Sequence, residues 1–103
     1  MPEMPTIALT AEQLQTVRKI LRRHIPDAAV WAYGSRVKGT ATDKSDLDMV
    51  VFGNVEKQIQ SLREDFDESS LPFRIDIFAW NQIPEQFREN IKQTYYIVQI
   101  GKD

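Results

Sequence analysis

Apolar residues recur along this chain with two different periods, and the switches between them mark out its elements. Leu14, Val17, Ile20 and Leu21 form one stripe at helical spacing. Thr10 stands ahead of that stripe with Gln13 three residues on, the pattern of a capping box, and Pro26 closes the segment. The apolar run from Ala28 to Tyr33 reads as a strand. A second strand over 46–52 ends at the turn Gly53-Asn54. Helical spacing returns with Val55, Ile59, Leu62 and Phe66 on one face of a helix over 55–67, and residues 73–79 read as a third strand. Pro84 suits the first turn of a third helix, with Phe87 and Ile91 facing inward. Tyr95 to Ile100 fits either an extension of that helix or a short strand, and its β-branched and aromatic content favours the strand at least equally. Met1 to Leu9, which holds Pro2 and Pro5, reads as a loose arm. The sum is one small α+β (α/β) domain over 1–103: a mixed β-sheet with helices packed mainly on one face.

Composition narrows the class without naming a chemistry. A chain of 103 residues with 42% hydrophobic content supports a single modest core and argues against disorder. Its net charge of −2 gives no general electrostatic case for nucleic-acid binding. With no cysteine there are neither disulfides nor thiolate metal sites. No signal peptide and no membrane-crossing apolar run is evident, so a soluble cytoplasmic protein is expected.

The chemistry concentrates in Gly34-Ser35-Arg36-x-x-Gly39, followed by Ser45-Asp46-x-Asp48. The first element is a turn between a strand and a short helix or loop, where outward-facing backbone N–H groups can hold phosphate. Ser35 adds a hydroxyl. Arg36 either contacts phosphate or braces the loop, and its sequence position does not decide between them. On a strand Asp46 and Asp48 project to one side, about 6 to 7 Å apart, as suits carboxylates that share divalent metal. Asp76 is a third acid in the otherwise apolar run Phe73 to Phe78, although Arg74 on the same face offers it an ion pair.

The segment GSRVKGTATDKSDLDMVVF resembles the signature of the nucleotidyltransferase superfamily related to DNA polymerase β. The short chain is most similar to its minimal branch, the MntA-type antitoxins that pair with HEPN-domain toxins. That resemblance implies a Gly-Ser turn that holds the triphosphate (Gly34, Ser35, Arg36). It also implies catalytic and metal-binding roles for Asp46, Asp48 and Asp76 with two magnesium ions. The implied reaction is AMP transfer from ATP to a hydroxyl, a tyrosine of a cognate HEPN toxin. So short a chain leaves no room for an acceptor domain of its own, so the acceptor is expected from outside. The alternative is a non-catalytic antitoxin that neutralises its toxin by occlusion.

Other conspicuous residues have plainer readings. Arg18, Lys19, Arg22, Arg23 and His24 complement the end of the first helix and its outer face, with His24 at the surface. Trp31, Trp80, Tyr95 and Tyr96 read as packing residues.

Overall fold

The structure, a computed structural model, describes residues 6–101. Helix α1 (Ala11–His24) leads to strand β1 (Val30–Tyr33), and a single-turn helix α2 (Ser35–Lys38) follows directly. Strand β2 (Leu47–Val51), helix α3 (Glu56–Asp67) and strand β3 (Ile75–Ala79) come next. A short 3-10 turn then leads into α4 (Glu85–Gln93) and β4 (Tyr96–Gln99). The ambiguous last segment is therefore a strand. The capping box forms as the sequence predicts: Gln13 N–H donates to the Thr10 hydroxyl, and the Gln13 side chain accepts from Thr10 N–H.

The sheet order is β3-β2-β1-β4. β1 runs antiparallel to both neighbours, whereas β2 and β3 are parallel and joined by the α3 crossover. Strand alternation sorts the side chains. Val30 and Ala32, Leu47, Met49 and Val51, and Ile77 and Ala79 face the main core, which α1 and α3 complete with Val17, Ile20, Leu21, Ile59, Leu62 and Phe66. The opposite face holds a smaller cluster of Tyr33, Val50, Ile83 and Ile91 beneath α4, edged by Trp31, Phe52, Trp80 and Tyr95. Helices thus cover one face in depth and the other thinly. The site lies on the thin side.

Three expectations change. Phe87 does not face inward: it is 45% exposed, whereas Ile91 one turn on is buried. His24 is half-buried, not a surface residue, and its Nε2 lies 2.8 Å from Asp65 Oδ2 on α3, where Arg23 also pairs. Of the expected loose arm, residues 1–5 lie outside the described residues. Ile7 and Leu9, however, pack on the main core, and Ala8 N–H donates to the Arg36 carbonyl. That part of the segment is docked.

Candidate active site

The turn after β1 begins at Gly34, whose φ of +84° lies in the region that disfavours a side chain. Space closes the position as well. A Cβ on Gly34 would sit 2.6 Å from Asp48 Oδ2. The backbone of the turn is thereby held directly against the carboxylate. Gly34 makes no side-chain cap to α2, and the first N–H groups of a helix lack intrahelical partners, which leaves Ser35 at an N-terminal turn open to an anion.

Arg36 answers the question its sequence position leaves open. Its side chain is 5% exposed and donates to three backbone carbonyls: Nε to Ser45 at 2.9 Å, one terminal nitrogen to Ala8 at 2.6 Å and the other to Asp43 at 3.1 Å. The guanidinium also lies 3.9 Å from the Phe73 ring centroid. Burial lowers its pKa from the ordinary value, and the charges of Asp43 and Asp46 oppose that shift. These bonds brace the loop before β2 and engage all three guanidinium nitrogens of Arg36. The loop adds its own lock, since Thr42 N–H donates to the Ser45 hydroxyl and Ser45 N–H to the Thr42 carbonyl.

That loop delivers Asp46, exposed, to the edge of β2. Asp48 follows on the same side, paired in register with Tyr33 of β1 and Asp76 of β3. Tyr33, Asp48 and Asp76 therefore form a row across three strands. Burial first, then Asp76 and Asp46, pushes the Asp48 carboxyl up to about 6. Tyr33 is pushed up to about 12 by burial, then by Asp48 and Asp76. Arg74 Nε holds Asp76 Oδ1 at 3.1 Å, so the ion pair suggested by the sequence forms, though Arg74 itself is largely exposed.

Among the described residues no three acidic or imidazole side chains converge closely enough to cage a cation alone. The donor set nevertheless fits magnesium. It consists of hard oxygens under mutual repulsion, and magnesium keeps several waters and takes ligands jointly from carboxylates and substrate phosphates. Beside the row opens a cavity of about 260 Å³, lined by Tyr33, Gly34, Lys38, Asp48 and one side of α4. Sequence reading passed over Tyr33, although strand alternation from Asp48 through the antiparallel pairing would have found it.

Three of the basic residues of α1 hold structure: Arg18 Nε donates to the Val98 carbonyl, and Arg23 and His24 tie α1 to α3 through Asp65. Trp31 stacks on Tyr95 at 3.9 Å between centroids and meets Phe52 and Trp80 edge-on, which is packing, as expected.

Known proteins resemble the chain in sequence and in fold. The family described as "Nucleotidyltransferase domain" matches residues 14–100. The chain is 38% identical over 102 residues to "Probable protein adenylyltransferase MntA" of Haemophilus influenzae, covering 96% of this chain and 90% of that one. In three dimensions it matches a chain from a crystal structure of a toxin–antitoxin with AMP-PNP. The TM-score is 0.70 at 19% identity, over 84% of this chain and 73% of that one. At that identity the likeness concerns the fold, and it agrees with the mixed sheet described above. Among the described residues no helix is long and apolar enough to cross a membrane.

Proposed function

This chain belongs to the nucleotidyltransferase domain family, and we propose that it transfers AMP from ATP to a hydroxyl of a partner protein, a tyrosine of a HEPN-domain toxin, and so acts as an antitoxin. The observation that carries the reading is the register of Asp48 against Asp76, with Gly34 pressed on Asp48. It brings two carboxylates and a phosphate-sized turn to one point on the open face of the sheet. The name of the Haemophilus relative and the AMP-PNP of the toxin–antitoxin structure support the nucleotide, the protein acceptor and the antitoxin role.

In this mechanism the turn at Gly34 and Ser35 orients the triphosphate through backbone N–H groups and the Ser35 hydroxyl. The acceptor oxygen bonds to the α-phosphorus, the bond from that phosphorus to the bridging oxygen breaks, and pyrophosphate leaves. Asp76 receives the proton of the attacking hydroxyl. Asp46, Asp48 and Asp76 would hold magnesium, which neutralises triphosphate charge when bound. Arg36 keeps Asp46 in place by fixing the loop before it.

Catalysis and occlusion differ in stoichiometry. Trace protein incubated with ATP, magnesium and a molar excess of HEPN toxin should raise the toxin's mass by an adenylyl group, and the toxin should stay inactive after the protein is removed. Excess EDTA, or Asp46→Ala, should abolish both effects. One-to-one protection without a mass increase would identify an occluding antitoxin.

A further inference from the structure

One side of α4 has no part in the chemistry above. Phe87, Asn90, Ile91 and Thr94 recur at the spacing that places residues on one helical face, and all four line the cavity next to Asp48. Ile91 is buried and anchors the helix to the sheet. Phe87 is different: nearly half exposed, it meets Tyr33 edge-on at 5.8 Å between centroids. Of the other large aromatics of this face, Trp31, Phe52, Trp80 and Tyr95 are closed into contacts with one another, while Phe78 on β3 is also exposed but does not line this cavity. Phe87 is thus the exposed aromatic ring that lines the cavity beside Asp48, held there edge-on by Tyr33.

We infer that this cavity takes the nucleobase of the bound nucleoside triphosphate, with Phe87 as its stacking platform. The inference rests on the nucleotidyltransferase reading and extends it to the ligand's other end. Continuity supports it, because Gly34 and Asp48 line the same cavity and also form the phosphate and acid end of the site. A triphosphate seated on that turn would direct its nucleoside toward α4. The cavity of about 260 Å³ suits one base with part of its sugar. Stacking on an aromatic face tolerates any base, so selectivity would fall to polar neighbours such as Asn90 and Thr94.

Calorimetric titration of the full chain with ATP and with inorganic triphosphate, each with magnesium, tests the assignment. Phe87→Ala should weaken ATP roughly tenfold or more while leaving triphosphate unchanged, and Phe87→Tyr should restore ATP affinity. Unchanged ATP affinity in Phe87→Ala, with ATP still bound by the native protein, overturns the base site alone. In that case a raised KM for the protein acceptor would assign the ring to the partner's surface instead. Equal losses for ATP and triphosphate in Phe87→Ala would show general damage to the site and likewise overturn the inference. A native protein that binds neither ligand would overturn the parent reading as well.

Discussion

Asp48, a carboxylate placed for the proposed chemistry, works against the stability of the fold. Its carboxyl titrates at 3.8 in an ordinary setting and at about 6 in the fold. Between those values the folded protein holds a proton that the unfolded chain has released. Stability therefore rises as pH falls through 6 and levels off below 3.8; above 6 the folded state carries the full repulsion. Asp48→Asn removes the charge at nearly constant shape. Without divalent cation it should stabilise the protein at pH 8 by about 1 to 2 kcal/mol, after discounting for the solvent that screens a half-exposed group, and should leave it unchanged near pH 3.5. Urea unfolding at the two pH values checks this, and a gain of equal size at both would point to packing instead of charge. The acid row itself was legible, because a strand shows its faces with period two and a carboxylate in an apolar run stands out. The Cβ-excluding contact between Gly34 and Asp48 was not, since it depends on the approach of two strands.

At the scale of elements, the loop between α2 and β2 holds its shape through a side chain from outside it. Arg36 gathers carbonyls from Ala8, Asp43 and Ser45, and no sequence pattern announces that use of an arginine. The role depends on partners that only the fold brings together. Arg36→Ala strands three carbonyls and should destabilise the protein by about 2 to 4 kcal/mol. Arg36→Lys should recover little, because an ammonium cannot reproduce the planar fork. Hydrogen exchange should show faster opening of the amides at 40–46 in both variants; protection equal to the native chain would remove the brace. Helix faces were read well where burial is deep, as in α3, where Ile59, Leu62 and Phe66, with Val55 at the N-cap position, are all buried. On α4 the same spacing misled for Phe87, because periodicity identifies a face without telling a core contact from a rim. The stretch Ile7 to Leu9 is too short to display any period, so its docking was not legible either.

Across the whole molecule, the four-stranded sheet acts as a partition. Leu47, Met49 and Val51 look one way into the main core, while Asp48 between them looks the other. Main-core residues and the acid of the site thus alternate over Leu47 to Met49, while Val50 joins the smaller buried cluster on the site's own side. The consequence concerns heredity. Substitutions at the exposed positions of the open side, such as Phe87, leave untouched the packing that keeps the protein abundant, whereas inserting one residue within β2 would exchange the two sides at a stroke. A saturation library scored separately for cellular abundance and for toxin protection should split accordingly. Leu47, Met49, Val50 and Val51 should fail both assays, and Asp46 and Asp76 should fail protection alone.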